Sequence, residues 1–268
     1  MSASLEGPCV LVIAGSDSSG GAGVDADREA LAAQGICALV CVTAWSQQDD
    51  GGLRSLCAVD GESWTREALA LAAGTRELGA VKFGLLPSAE ALCRAADLIG
   101  ELRARCGDDL AVVLDPVVRA SSGARFLDDE ALAVLRETLL PLGLIWTPNI
   151  PEAALLVGRP AEDLTSDLEA RLASARELVA AGAAAVVLKG GHGTEDPVCD
   201  LVLAADGEPQ WLRHPRLEGA EIRGSGCRFA SSLAGALASG VALEEAARSA
   251  GELVLKALQR AGRASPRT

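Results

Sequence analysis

The stretch "CVLVIAGSDSSGGAGVDADREALAA", Cys9 to Ala33, decides how the rest of the chain is read. Its first six residues, Cys9 to Ala14, are apolar and mostly aliphatic, and the run ends at Gly15. A short apolar run without alternation predicts a strand buried on both faces. Gly15 to Gly23 is too rich in glycine and serine for regular structure and reads as a loop. Asp25 to Ala33 then reads as a helix stopped by Gly35, and residues 38–43 as a second apolar strand. Two buried strands joined through a helix predict a parallel pair.

The same alternation runs on toward the C-terminus. Strands are expected at 53–59, 80–83, 110–114, 144–146 and 184–188. A hairpin of 199–203 and 210–212 would turn at Asp206-Gly207. Helices are expected at 63–73 (with Ser63 as a candidate cap), 88–105, 128–139, 152–157, 168–181, 227–238 and 243–261. This pattern predicts an α/β fold, a three-layer αβα sandwich with a mostly parallel central sheet and helices on both faces. Composition shifts only after Gly262, so one domain over residues 1–268 is expected, with 1–7 and 263–268 as flexible tails.

Hydrophobic residues make up 49% of the 268 and aromatics 3%, with no tyrosine, so Val, Leu and Ala must fill the core. The formal net charge is −13, from 24 basic and 37 acidic residues. Nucleic-acid binding depends on neutralising phosphates, so this balance argues against it. A small anionic ligand stays admissible, because a local site can oppose the global field. The eight cysteines form no CxxC pair, and His192 and His214 stand far apart, so neither a disulfide framework nor a zinc site is expected. Buried, reduced thiols in a cytoplasmic protein are. The apolar run at Cys9 is short and lacks a basic leader, and no later run has the length of a membrane span.

In open α/β sheets, ligands bind outside the carboxyl ends of the strands. The strand ends here carry "AGSDSSGGAG", "TAWSQQDDGG", "KFGLL", "LDPVVRASSG", "TPNIPE", "LKGGHG" and "RGSGC". If Cys227 of "GSGC" lies in the first turn of a helix, the free N–H groups of 225–228 form an anion site; an ordinary glycine-capped helix reads the same way. Gly15, Gly20, Gly21 and Gly23 do not have GxGxxG spacing, which disfavours a dinucleotide site. Asp27 sits where a helix-start acid would. Asn149 and Glu152 either form a capping box or offer two oxygens to a hydrated magnesium ion. Asp115 at a strand end suits a cation, and Lys189 suits either phosphate oxygens or solvent.

Taken in order, these blocks resemble the hydroxymethylpyrimidine/phosphomethylpyrimidine kinases of thiamine biosynthesis, a ribokinase-like family. The family patterns are G-[ST]-D-x-S-G-G-A-G-x-x-A-D, T-A-x-x-x-Q-N, K-x-G-M-L, L-D-P-V, T-P-N-x-x-E-A, V-K-G-G-H and G-T-G-C. The match runs from Val10 to Ala261. It departs at Asp49 (for Asn), Leu85 (for Met), Ser225 (for Thr) and Arg223 (often His), and at "ASSGA", residues 120–124, where an A-K-S-G-D pattern would bring a lysine and an acid. The resemblance implies ATP and Mg²⁺ as cofactors, an aminopyrimidine acceptor and a homodimer. Carried over, Asp27 and Gln48 (or, one residue shifted, Gln47) would recognise the pyrimidine, with Gly15 close to it and Leu85 as an apolar wall. Asp115, Asn149 and Glu152 would organise Mg²⁺ and the phosphates. Lys189 and Gly191 would border the nucleotide, and Gly224, Ser225, Gly226 and Cys227 the transferring phosphoryl group. Arg223, Arg228 or Arg119 would stand in for the missing lysine.

Related sugar kinases carry aspartate, a base for an alcohol, where this chain has Cys227. A phosphate monoester is already ionised near neutral pH, and a carboxylate beside it would repel it. A neutral thiol tolerates both acceptors, and a helix N-terminus would lower its pKa toward a thiolate. Two rival readings share the fold: a pyridoxal kinase, and a sensor that binds the pyrimidine without turnover.

Overall fold

The computed structural model describes residues 7–49, 52–75, 77–120, 123–219 and 221–264. Strand β1 (Cys9–Asp17) is buried along its whole length, as its apolar run requires. It outlasts that run: Gly15, Ser16 and Asp17, expected in the loop, still belong to the strand, beyond a bulge between Ala14 and Ser16. Helix α1 (Val24–Ala32) leads to β2 (Cys37–Asp49), parallel to β1. The second half of β2 pairs antiparallel with β3 (Gly52–Ala58). Helix α2 (Gly61–Gly74) follows; its cap is Asp60, which accepts from the Ser63 N–H at 2.9 Å, so Ser63 is not the cap. A carboxylate three residues earlier reaches that orphan amide directly.

Next come β4 (Leu78–Phe83), α3 (Ala89–Cys106) capped by Ser88, and β5 (Ala111–Leu114). The helix expected at 128–139 is α-helical only over α4 (Asp129–Val134); Leu135–Leu139 widens into a π turn and Leu140–Leu142 tightens into a 3₁₀ turn. Pro141 explains the break, since it has no N–H to continue the ladder. Then follow β6 (Ile145–Trp146), α5 (Ile150–Val157), the short α6 (Ala161–Thr165), α7 (Leu168–Ala180) and β7 (Ala185–Leu188). The expected hairpin is present as β8 (Val198–Ala204) and β9 (Gln210–His214), before α8 (Ser225–Ala238) and α9 (Leu243–Ala264). The expected tails fall mostly outside the described residues, as do Ser121, Ser122 and the Asp49 side chain.

The strands form one sheet in the order β3-β2-β1-β4-β5-β6-β7-β8-β9. The run from β2 to β7 is parallel; β3, β8 and β9 are antiparallel. Strand side chains alternate between two cores. Leu11 and Ile13 join Trp64, Leu92, Leu98, Trp146 and Leu156 beneath α2, α3, α5 and α7. Val10 and Val12 join Leu31, Phe229, Leu233 and Ala246 beneath α1, α8 and α9. Each fully buried Leu, Val or Phe contributes roughly 1.5–3 kcal/mol, so two such layers hold the strand ends rigidly. All eight cysteines are free, but Cys57, Cys93 and Cys106 are exposed rather than buried, because they lie on the edge strand β3 and on α3 faces turned from the sheet.

Candidate active site

The strand order reverses at β1, which has β2 on one side and β4 on the other. Ligands bind at such switch points, and a cavity of about 840 Å³ opens there. Gly15, Gln48, Leu85 and Asp115 line it from the strand ends. Asn149, Glu152, Lys189 and Gly191 line its second side, and Gly224, Ser225, Gly226 and Cys227 its third. Of the residues singled out from sequence, Asp27 is not in the lining, nor are Gln47, Arg223 and Arg228, whereas Arg119 is.

The third side is the N-terminus of α8. Gly224 is its N-cap, at φ +70°, and no side chain caps the turn. Its first amides are therefore free to meet an anion, with the helix dipole behind them. A side chain on Gly226 would sit 3.1 Å from Lys189 Nζ and 3.5 Å from Asp115 Oδ2, so the glycine lets the helix approach both groups. One on Gly224 would strike the Gly21 carbonyl at 2.7 Å. The "GGAG" and "GSGC" segments thus pack backbone to backbone, which only glycine permits. Arg228 joins them, donating to the Gly21 and Arg223 carbonyls at 3.1 and 2.8 Å, and Arg223 pairs with Asp17 at 2.9 Å.

The second side concentrates charge. Lys189 Nζ lies 3.0 Å from Asp115 Oδ1. Asn149 and Glu152 form the capping box: Glu152 N–H donates to Asn149 Oδ1 at 2.9 Å, and Asn149 N–H to Glu152 Oε2 at 2.8 Å. Burial pushes the Glu152 carboxyl up to about 7, with the Asp115 charge adding to it and Lys189 opposing. Burial works against the Lys189 ammonium too, but the charges of Asp115 and Glu152 outweigh it and raise its pKa. One lysine therefore serves two carboxylates, and the cluster is short of positive charge. Among the described residues no group of three His, Cys, Asp or Glu forms a metal cage. Two carboxylates, each with an oxygen to spare, fit a Mg²⁺ that keeps waters and takes its other ligands from phosphates.

Asp27 lies beneath the cleft instead of in it, because its carboxylate is consumed by a buried ion pair. Lys82 Nζ reaches its two oxygens at 2.9 and 3.0 Å, and Ser231 Oγ donates to Oδ1 at 2.8 Å. Direct contact with a ligand is thereby corrected to support from below. The Cys227 thiolate expectation is corrected as well. Burial pushes the thiol up to about 12; Lys82 and the Gly23 backbone favour the thiolate, while Asp27 and Asp115 oppose it. Desolvation outweighs the helix dipole, and the thiol is neutral.

Several groups were missed from sequence. Arg171, fully buried, holds Glu195 with both terminal nitrogens and donates to the Leu164 and Thr165 carbonyls. Arg216 donates to the carbonyls of Gly191, Gly193 and Glu195 at 3.2, 2.7 and 3.0 Å, fixing the loop after Lys189 from the cleft side. Asp200 accepts from the Gly190 N–H at 2.6 Å. Val254, Leu255 and Leu258 of α9 give the cleft an apolar flank. Lys82 carried a legible signal: a lysine inside a fully buried strand demands a buried partner. The arginines carried none, since their partners are mostly carbonyls.

Backbone amides and a lysine offered to a phosphate, beside carboxylates short of a cation, suit phosphoryl transfer; on this sheet order such a cleft belongs to a ribokinase-like kinase. Residues 17–266 match the family model described as phosphomethylpyrimidine kinase. The hydroxymethylpyrimidine/phosphomethylpyrimidine kinase of Streptomyces coelicolor is 37% identical over 257 residues, covering 94% of this chain and 88% of the relative. That of Haemophilus influenzae is 34% identical, covering 93% and 90%. The solved phosphomethylpyrimidine kinase of Clostridium difficile superposes with a TM-score of 0.78 at 26% identity, covering 94% of this chain and 100% of that one. The Staphylococcus aureus pyridoxal kinase, in complex with AMP-PCP and pyridoxal, gives 0.79 at 26% identity, covering 94% and 88%. The chain belongs to the phosphomethylpyrimidine kinase family.

Proposed function

We propose that the chain uses ATP to phosphorylate 4-amino-5-hydroxymethyl-2-methylpyrimidine, its monophosphate, or both, on the way to thiamine. The observation that carries this reading is the convergence of the α8 N-terminus, Lys189, Asp115 and Gln48 on one cleft, with Cys227 where an alcohol-only kinase would use an acid. Gln48 would face the acceptor, whose ring packs between Gly15 and Leu85. A side chain at Gly15 would meet Leu85 at 2.8 Å, so only glycine leaves that slot open. The α8 amides and Lys189 would neutralise charge on the transferring group, while Arg216 and Asp200 hold the loop bordering the nucleotide. Asp115 and Glu152 would hold Mg²⁺, which when bound supplies charge neutralisation at the phosphates.

A neutral thiol imposes no charge on an incoming phosphate monoester and can donate a hydrogen bond to it. Phosphoryl transfer needs alignment and charge neutralisation more than a strong base, so the same site serves the hydroxymethyl group. Pyridoxal is the rival acceptor, because pyridoxal kinases superpose equally well. Product analysis with ATP and each of the free pyrimidine, its monophosphate and pyridoxal decides. Transfer to either pyrimidine supports the reading; transfer to pyridoxal alone, or binding without turnover, refutes it. We extend the proposal to a cytoplasmic homodimer. No helix among the described residues is long and apolar enough to cross a membrane, and Trp45, 57% exposed beside edge strand β3, offers an apolar surface for a second copy. Sedimentation of the chain and of Trp45→Glu tests the dimer.

A further inference from the structure

Lys82 and Asp27 are each completely shielded from solvent, and the site as described so far gives them no task. They sit where three elements meet: Asp27 in the first turn of α1, Lys82 on the central strand β4, and Ser231 on α8. Ser231 is four residues after Cys227, one turn deeper on the same face of the helix. The ion pair is therefore buried directly below the turn that fronts the cleft. Its neighbours are tight: a side chain on Gly84 would come within 2.8 Å of Lys82 Nζ, and one on Gly23, which caps α1, within 2.1 Å of the Gly15 carbonyl.

Stability alone is a poor explanation for this pair. A buried ion pair is often no more stabilising than apolar residues of the same volume, because desolvation consumes the attraction. The geometry points instead to an electrostatic task. Two helix N-termini, those of α1 and α8, converge on the cleft, and each presents partial positive charge. An unpaired Lys82 would add a full positive charge below them. Cys227 feels both members of the pair with opposite sign, alongside Asp115 and Lys189 from the strand ends.

We propose that the Asp27–Lys82 pair is a positioning and charge-balancing element that sets how the site divides its activity between a neutral and an anionic acceptor. Asp27 cancels Lys82, so the field at Cys227 comes from the helix ends, Lys189 and the carboxylates. The cleft then accepts a hydroxymethyl group without holding a phosphate monoester too tightly. Asp27 and Lys82 touch no acceptor; they act through the α8 turn and Cys227. The inference rests on the pyrimidine kinase reading.

The test compares kcat/KM for the monophosphate with kcat/KM for the free pyrimidine, at fixed saturating ATP and magnesium. Asp27→Asn keeps the shape, and the Asp115 charge works against desolvation to keep the proton on Lys82, so the monophosphate-to-alcohol ratio should rise about tenfold, with a lower KM for the monophosphate. Asp27→Asn combined with Lys82→Met removes both charges and should return the ratio to within about twofold of wild type. If Asp27→Asn does not fold, Asp27→Ser makes the same charge change with room for a water beside the lysine. A merely structural pair would lower both activities together and leave the ratio unmoved, and that result overturns the proposal. So does a ratio that stays raised in the double variant. Failure of the wild type on both pyrimidines is a different result, which removes the functional reading itself.

Discussion

Glu152→Gln should make the protein more stable and less active, and the pH at which the stability gain appears tests the account of the cleft. The carboxyl is 8% exposed, and burial with Asp115 nearby raises its pKa from the 4.5 of an ordinary glutamate to about 7. A raised acid binds its proton more tightly in the folded chain than in the unfolded one. Below about pH 4.5 both states are protonated and no cost arises. As pH rises toward 7 the unfolded chain ionises first, and folding then carries a growing penalty that is complete above about 7. That gap in pKa corresponds to about 3 kcal/mol. Glutamine has no charge to bury and keeps a carbonyl oxygen for the Asn149 N–H, so the capping box survives. The value of about 7 already includes the attraction to Lys189; the buried amide nitrogen must find its own partner, which offsets part of the gain and leaves about 1–3 kcal/mol at pH 8, or very roughly 2–10 °C in Tm for a chain of this size. Denaturation of both proteins from pH 4 to 8.5, in EDTA, measures it: the curves should coincide at the acid end and separate through the window from 4.5 to 7. Turnover should fall at least about tenfold, since the same carboxylate is one of the two proposed to hold magnesium. A stability difference that is constant with pH, or a less stable variant at pH 8, would refute the burial argument.

Cys227→Asp should spare the hydroxymethyl acceptor and lower kcat/KM for the monophosphate by about tenfold or more, because it sets a carboxylate beside an incoming phosphate; equal use of both in steady-state assays sinks the charge argument. Gly23→Ala places a carbon 2.1 Å from the Gly15 carbonyl at φ +63°, so the "GGAG" turn must move off the end of β1, and kcat/KM should fall about 100-fold in direct assays. Arg171→Met leaves Glu195 and two carbonyls without their partner and should cost about 3–5 kcal/mol in urea denaturation. A loss below about 1 kcal/mol would mean that Arg171 is dispensable to the loop after Lys189.

Much was legible because local rules and tertiary packing agree. Runs such as "CVLVIA", "AVVL" at 111–114 and "AVVL" at 185–188 admit only doubly buried strands, and the helices between them impose parallel crossovers. The glycines of "GSGC" read equally as an anion site or a plain helix cap, and the structure adds a third reason for glycine, since at Gly224 and Gly23 backbone meets backbone. Asn149 and Glu152 were ambiguous, and the capping box is real; its presence leaves one oxygen of Glu152 for other work.

Sequence by itself determined the layers, the order of strand and helix, and which loops stand at strand ends, because hydrophobic period and turn chemistry are written locally. Tertiary structure alone decided the depth and partner of each charge. Asp27 looks like any helix-start acid until β4 brings Lys82 to within 2.9 Å, and Cys227 looks like an activated thiol until burial is counted against the helix dipole. Desolvation depends on what all neighbouring elements exclude from a point in space, and a linear pattern carries no record of that.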